Sequence, residues 1–314
     1  MIKFSRIISL LPSATEILFE LGLGEYLKGV THECVYPTQA IGKPRIILPS
    51  INFDSLGSLE IDEKVRDMAS RNEPMFVLDA EKIVEIKPDL IISQNLCTVC
   101  APYDKEIKKS CQILGYEPKN IVLNPNNIDD ILDSILLIGR QIGHLGEAEH
   151  LYNHLKGRID KIRTIFKESI NNNSIIGNVP VLCLDWMKPL YLAGHWVPDM
   201  VNIAGGKNLM NRVGFPSRPI NFREIDEYNP DKIILMPCGF DIKRAVSEYS
   251  ALEKEGYWSC LTCVKEKQVY IVDSNSYFSK PSPRIVTGIE ILCKILYPDT
   301  FEELQIPEGS FLRL

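Results

Sequence analysis

Ile83-Val-Glu-Ile-Lys-Pro-Asp-Leu-Ile-Ile-Ser93 and Phe222-Arg-Glu-Ile-Asp-Glu-Tyr-Asn-Pro-Asp-Lys-Ile-Ile-Leu-Met236 are two writings of one phrase. Each copy reads as a short helix carrying Glu-Ile, a turn at Pro-Asp, and an apolar run too short for a helix. Such a run suits a strand buried on both faces. The repetition predicts two similar lobes. A buried parallel strand delivers the residues after it to one edge of its sheet, where open α/β sheets bind ligands. Those residues are Gln94-Asn-Leu-Cys-Thr-Val-Cys100 in the first copy and Pro237-Cys-Gly-Phe240 in the second.

Outward from the first copy, strand and helix signals alternate. Residues 6 to 11 read as a strand, Thr15 to Leu23 as a helix capped near Ser13, and Leu27 to Val30 as a second strand. A helix at Leu59 to Ser70, another at Tyr103 to Leu114 and a strand at Asn120 to Leu123 complete an α/β lobe over residues 1–125. From Asn126 to Ile142 a helical stripe runs through Ile128, Ile131, Leu132, Ile135 and Ile138, with Gly139, Gly143 and Gly146 expected to weaken or break it. Glu147 to Ile170 reads as one more helix, a rod of about 36 Å at about 1.5 Å per residue. Residues 126–172 are therefore a helical connector, long enough to join two domains rigidly.

The second α/β lobe takes 173–314. Its elements are a strand at Pro180 to Leu184, the second phrase, a helix at Lys243 to Glu255, a strand at Gln268 to Val272 and a closing helix from Arg284 to Leu296.

Composition narrows the function classes. The chain has 314 residues, 45% hydrophobic and 24% charged, with a formal net charge of −6. That is an ordinary globular balance with length enough for two cores. No sustained Lys/Arg run supports nucleic-acid or anionic-membrane binding, and no apolar stretch approaches the roughly 18 to 20 residues of a membrane span. The partner expected is a small molecule or another protein. The N-terminal residues run straight into the first strand without a long apolar region or a small-residue cleavage site, so no signal peptide is read. Nine cysteines, an odd number spread over the whole length, do not resemble a disulfide framework and point to reduced thiols in a cytoplasm. The alternative is an extracytoplasmic protein whose leader is missing from this chain.

Four clusters carry candidate chemistry. Cys97-Thr-Val-Cys100 has the spacing of a zinc knuckle, an iron-sulfur arm or a redox disulfide. Cys34, in His32-Glu-Cys-Val-Tyr-Pro37, also follows a strand of that lobe, so three thiols are placed to converge; the alternative is that they are small buried hydrophobes. Cys260 and Cys263 repeat the spacing in a segment whose alternating apolar positions would bury them by packing alone. Cys111, Cys183 and Cys293 sit in apolar runs and read as core. The third cluster, Leu184 to Pro198, packs Asp185, Trp186, Tyr191, His195 and Trp196 into one loop, a concentration typical of a ligand wall. His195 is either a metal ligand, an axial ligand or a general base, or a helix-start residue bonded to backbone. Ala204-Gly-Gly206 is too short for a nucleotide fingerprint and ends a helix over 198–203. The fourth cluster, Asp273 to Arg284, is a polar loop with Tyr277 and Phe278 before a helix, suited to closing over a planar ligand. No Ser-His-Asp order, phosphate loop or paired-carboxylate signature demands catalysis.

At these residues the chain resembles a known family. Ser5-Arg-Ile-Ile-Ser-Leu-Leu-Pro-Ser-Ala-Thr-Glu16, Gly29-Val-Thr-His-Glu-Cys-Val-Tyr-Pro37, Lys87-Pro-Asp-Leu-Ile-Ile92 and Pro281-Ser-Pro-Arg-Ile285 look like the class III substrate-binding proteins of ABC importers, the cobalamin receptors among them. The likeness spans about residues 5 to 297. It implies two Rossmann-like lobes with parallel sheets joined by one long helix, and a corrinoid held in the cleft between them. It also implies aromatic side chains lining that cleft, Tyr277 standing where one such Trp is expected. An ABC-transporter permease is the partner so implied.

The expected function is thus a non-catalytic binding protein for cobalamin or a related tetrapyrrole. Tyr36, Trp186, Trp196 and Tyr277 would cover the ring, Gln94, Asn95 and Asp185 would bond peripheral amides, a Cys or His195 would reach the metal, and Ser13, Glu33, Cys238 and Phe278 complete the ligand-binding set. A rival reading is a cytoplasmic metal or redox protein that uses Cys34, Cys97, Cys100 and His195 to hold zinc or an iron-sulfur cluster. A third is a receptor for a ferric chelate.

Overall fold

Both copies of the phrase fold alike, and a computed structural model describing residues 3–94, 111–171, 177–208 and 210–314 shows why. In the first, Asp79 caps the helix Ala80–Ile86 by accepting the Lys82 amide at 3.0 Å, and Lys87 closes it in the left-handed conformation at φ 51°. In the second, Asn221 and Glu224 form a reciprocal capping box on Phe222–Tyr228, and Asn229 closes it at φ 46°. Proline comes after each left-handed residue because it cannot continue a helix. The Asp after it then bonds the start of the neighbouring strand: the Asp89 N–H donates to the Arg6 carbonyl at 3.0 Å, the Asp231 N–H to that of Pro180 at 2.9 Å. Asp89 adds its carboxylate, which accepts from the Ser5 and Arg6 amides and the Ser5 hydroxyl.

Contacts divide the chain into two units. The first comprises Met1–Leu56, Glu63–Pro125 and Asp129–His154. Its sheet holds β1 (Ile7–Ser9), β2 (Leu27–Thr31), β3 (Arg45–Pro49), β4 (Phe76–Leu78), β5 (Leu90–Gln94) and β6 (Lys119–Leu123) in the order β4-β3-β2-β1-β5-β6. All neighbours are parallel except β3 and β4. Ile7, Ile8, Leu90 and Ile92 are buried without alternation, as strands covered on both faces require. The helix Ile128–Ile142 carries the stripe Ile128, Ile131, Leu132, Ile135 and Ile138, every one buried.

The second unit comprises Gly57–Asp62, Asn126–Ile128 and Leu155–Leu314. Its strands are β7 (Val179–Met187), β8 (Leu190–Leu192), β9 (Gly206–Lys207), β10 (Arg218–Pro219), β11 (Lys232–Leu235), β12 (Val269–Val272) and β13 (Phe311–Arg313). The order is β10-β8-β7-β11-β12-β13, with β9 on β7. β7, β11 and β12 are parallel and wholly apolar at their centres. The helix Ile285–Leu296 is apolar almost all round and buried to match. After two short excursions into the second unit, the chain passes to it for the last time within the 27-residue helix Leu145–Asn171. The fold is α/β, two Rossmann-like lobes with one long joining helix.

Several local expectations need correction. The first helix begins at Pro12, not Thr15, with Leu11 at its N-cap and no side-chain cap, because proline presets φ for the first turn. Of the three glycines, only Gly143 breaks the helix, at φ 91°. Gly139 stays helical because its missing side chain admits Ala148, whose Cβ would lie 2.3 Å from a Cβ built there. Gly146 lies inside the next helix. Cys260 and Cys263 are not in an extended segment: Trp258–Cys260 is a 3-10 turn and Thr262–Lys265 a helical turn, which buries Cys263 and leaves Cys260 exposed.

Candidate functional site

In the first unit the carboxyl ends of β1 and β2 present the candidate residues. After β2 the Arg45 guanidinium donates to the carbonyls of Thr31 at 2.8 Å and Cys34 at 2.9 Å, fixing the loop. Cys34 is thereby turned inward, 1% exposed, its sulfur 3.1 Å from the Thr15 hydroxyl and 3.2 Å from that of Thr31. Glu33 and Tyr36 are turned out, Tyr36 being 40% exposed. Ser13 is buried in the first helical turn. Gln94 is half-buried at the end of β5. His32 stacks on Phe76 with ring centroids 5.2 Å apart, and burial holds its imidazole below the ordinary value despite the opposing pull of Glu33. Asn95, Cys97 and Cys100 lie outside the described residues.

In the second unit the candidates gather where β7, β11 and β12 end. β7 carries an irregularity between Leu184 and Trp186, so Asp185 stands unpaired with β8, the kind of bulge that re-aims a side chain. Its carbonyl accepts the Cys238 N–H at 3.0 Å, and its carboxyl accepts the Ser217 hydroxyl. Burial outweighs that bond and those from the Asp185 and Gly194 amides, so the carboxyl is pushed up to about 6. Trp186, half-buried, shares its indole N–H between the carbonyls of Ser58 at 3.1 Å and Lys188 at 3.0 Å. Its ring meets Phe240 edge-on at 5.3 Å, and the Arg244 guanidinium lies 4.0 Å from the Phe240 centroid. Cys238 is exposed beside them.

After β12, Asp273 caps the turn Ser274–Tyr277, and Ser274 and Ser279 hydroxyls bond each other at 2.7 Å. The turn is tied to the β11 loop by the Asn275 N–H on the Phe240 carbonyl at 3.0 Å and the Gly239 N–H on Ser279 at 3.1 Å. Tyr277 is half-buried, with the Arg284 guanidinium 5.8 Å from its ring.

The structure therefore brings together Asp185, Trp186 and Cys238, and joins them through Phe240 to the Tyr277 turn. Trp196 and Phe278 are interior, 6% and 2% exposed, and the Trp196 indole N–H donates to the Phe278 carbonyl at 2.8 Å. His195 holds a left-handed φ of 54°, and its amide and carbonyl bond Phe215 and Gly214. Sequence reasoning missed Phe240 as the ring under Trp186, and Arg244 and Ser217 as partners. For Phe240 a signal existed, since it ends the segment after the second phrase. Among the described residues no group of three or more His, Cys, Asp or Glu side chains is placed to hold a metal ion.

Comparison with known proteins supplies the family. Residues 7–276 match the periplasmic binding protein family. The chain is 27% identical over 308 residues, 95% of its length and 82% of the relative's, to the uncharacterized ABC transporter substrate-binding lipoprotein YvrC of Bacillus subtilis. It is 23% identical over 296 residues, 93% and 88% of the two chains, to the vitamin B12-binding protein of Vibrio cholerae. The solved structure of a periplasmic heme binding protein from Pseudomonas aeruginosa superposes with a TM-score of 0.70 at 15% identity, covering 94% of each chain. These relatives are periplasmic or lipoprotein substrate-binding proteins, which overturns the cytoplasmic placement expected from the thiols. The physical reason is that buried cysteine packs as a small hydrophobe, and Cys34, Cys183, Cys263 and Cys293 are all buried, so their number carries no compartment information. The chain belongs to the periplasmic binding protein family and has its class III fold.

Proposed function

We propose that the chain is the non-catalytic ligand-capturing subunit of an ABC importer and that its ligand is cobalamin or a related corrinoid. The observation that carries this reading is the placement of flat aromatic faces at the carboxyl ends of parallel strands: Trp186 on β7, Tyr277 after β12, Tyr36 after β2. A macrocycle offers wide apolar faces and a polar rim, and each unit by itself offers an exposed or half-buried ring together with a polar group, Tyr36 with Gln94 in the first and Trp186 and Tyr277 with Cys238 in the second. Gln94 and Cys238 supply rim contacts. The name of the Vibrio cholerae relative, matched over almost the whole chain, favours the corrin ring. Trp196 and Phe278 take a supporting part, holding the turn that carries Tyr277.

Calorimetry on the full chain with cobalamin, cobinamide and hemin tests this reading. Binding of both corrinoids is expected. No heat from either at about 100 µM, which corresponds to only about 5.5 kcal/mol, would sink it, and binding of hemin alone would move the ligand to the heme class that the Pseudomonas aeruginosa protein is named for.

A further inference from the structure

The helix Ile242–Glu253 of the second unit starts just after Phe240, with the Asp241 carboxylate capping it on the Arg244 amide at 2.8 Å. Three charged side chains, two on this helix and one just past its end, converge indirectly on Trp186. The Arg244 guanidinium lies 4.0 Å from the Phe240 ring centroid, and that ring meets the Trp186 ring edge-on at 5.3 Å. Glu248, one turn further along the same face, accepts the Ser58 amide at 3.0 Å and the Ser58 hydroxyl at 2.6 Å. The Ser58 carbonyl in turn accepts the Trp186 indole N–H at 3.1 Å. Glu255 pairs with the Lys188 ammonium at 2.8 Å, and the Lys188 carbonyl is the second acceptor of that indole N–H, at 3.0 Å. Ser58 is 1% exposed and, with the rest of Gly57–Asp62, is part of the second unit. Buried polar groups need partners, and Glu248 meets that need for both its amide and its hydroxyl.

We propose that this helix is the positioning element of Trp186 and that Glu248, acting through Ser58, is the principal positioning residue of the ring. On an ordinary surface helix such charges pair along the helix or with water; here each goes to a different neighbour of one side chain. Trp186 is only half-buried, and an unbraced ring in that setting changes rotamer quickly. A ring already fixed before a ligand arrives removes an ordering cost from binding. Glu248 is the strongest of the three braces, because its carboxylate makes two charge-assisted bonds to a buried residue, whereas Lys188 and Glu255 are more open to solvent, at 30% and 40% side-chain exposure. The use of the ring to hold a ligand rests on the function proposed above; its positioning does not.

Indole N–H signals in a nitrogen–proton correlation spectrum of the full chain read the positioning directly. The chain has three tryptophans, Trp186, Trp196 and Trp258, and Trp186→Phe identifies the Trp186 signal by its loss. Trp258 is the control: its indole N–H donates to the hydroxyl of Tyr249, on the same helix, at 3.1 Å and so reports whether that helix is intact. Glu248→Ala is expected to speed exchange of the Trp186 indole N–H with water about fivefold and to leave Trp258 unchanged. Glu248→Gln, whose amide oxygen still accepts a bond, restores most of the protection. In calorimetry with cobinamide, Glu248→Ala weakens binding about fivefold in the unsubstituted chain and has no further effect in Trp186→Phe, which lacks the N–H. An unmoved Trp186 signal, a loss of protection shared by Trp258, no rescue by Glu248→Gln, or an affinity loss that persists in Trp186→Phe overturns the proposal. Absence of corrinoid heat from the unsubstituted chain would strike the ligand reading instead, and the indole signals would still decide the positioning.

Discussion

Arg158 and Glu290, 132 residues apart in the chain, form a two-pronged pair within the second unit, with Nε to Oε1 at 2.9 Å and Nη2 to Oε2 at 2.5 Å. The guanidinium also donates to the Thr287 hydroxyl at 2.9 Å. Glu290 sits on an otherwise apolar, buried helix, its side chain 8% exposed. Removing Arg158 leaves that carboxylate with neither water nor partner. Arg158→Ala is expected to cost about 3 kcal/mol, and Arg158→Lys most of that, since an ammonium cannot make the fork; chemical denaturation measures both. A double substitution of Arg158 and Glu290 by Met that costs as much as Arg158→Ala would contradict this account.

Two helical glycines make opposite predictions from the same chemistry. A methyl group added at Gly157 would meet nothing within 4 Å, so Gly157→Ala gains helix propensity and stabilises by about 0.5 to 1 kcal/mol. Gly139 would place its Cβ 2.3 Å from that of Ala148 and 2.9 Å from the His144 carbonyl oxygen. Overpacking there exceeds the propensity gain, and Gly139→Ala is expected to lower stability by about 2 kcal/mol in thermal or denaturant unfolding.

The repeated phrase predicts paired effects in the two units. Asp79→Ala and Asn221→Ala each remove an N-cap and should each cost about 1 kcal/mol. Lys87 and Asn229 both occupy left-handed backbone, a conformation that suits asparagine better than lysine. Lys87→Gly should therefore stabilise by up to about 1 kcal/mol, and Asn229→Gly by less. Equal gains at both positions, measured by denaturant unfolding, would contradict the argument.

His32 and Asp185 pull stability in opposite directions with pH. Burial lowers His32 below 6.5, so its contribution is present above that pH and is lost as pH falls through it. Asp185 is raised from 3.8 to about 6, so the fold favours its protonated form, and stability falls as pH rises from about 4 to about 6, by at most about 3 kcal/mol. Asp185→Asn should leave a profile that rises with pH up to about 7, and His32→Gln one that falls as pH rises from about 4 to about 6. Denaturation midpoints at a series of pH values separate the two.

For the corrinoid reading, Trp186→Ala and Tyr277→Ala are each expected to weaken cobalamin at least tenfold, about 1.4 kcal/mol, with Tyr36→Ala weaker in effect because that ring is more exposed. Trp196→Ala should instead lower stability by about 3 kcal/mol, as loss of a buried indole does. Calorimetry beside a thermal melt distinguishes the two classes of residue.

Much of the fold was legible in the order of residues. The stripe from Ile128 to Ile138 names the buried face of its helix residue by residue, and the strand after each Pro-Asp lies where the apolar run stands. Periodicity of this kind is set by local backbone geometry. The site was less legible. Trp186 and Trp196 read as parts of one aromatic loop, yet Trp186 stands half-buried on β7 beside a bulge, and Trp196, beyond β8, is interior with its N–H on Phe278. Nothing in the spacing separates them, because the difference is made by Phe240 and Phe278, which arrive from other strands.

The sequence by itself determined the doubled helix-turn-strand phrase, the central parallel strands of each sheet and the two-lobed α/β plan, since each rests on residues within a few positions of one another, whereas the short strands β3, β4, β8, β9, β10 and β13 were not legible in it. Only the tertiary structure decided that Cys34 lies between two threonine hydroxyls, that the Asp185 carboxyl accepts the Ser217 hydroxyl, and which rings stay half-open at the strand ends. Those outcomes depend on burial and on hydrogen-bond partners brought from distant segments, and burial is a property of the packed chain, not of any residue in it.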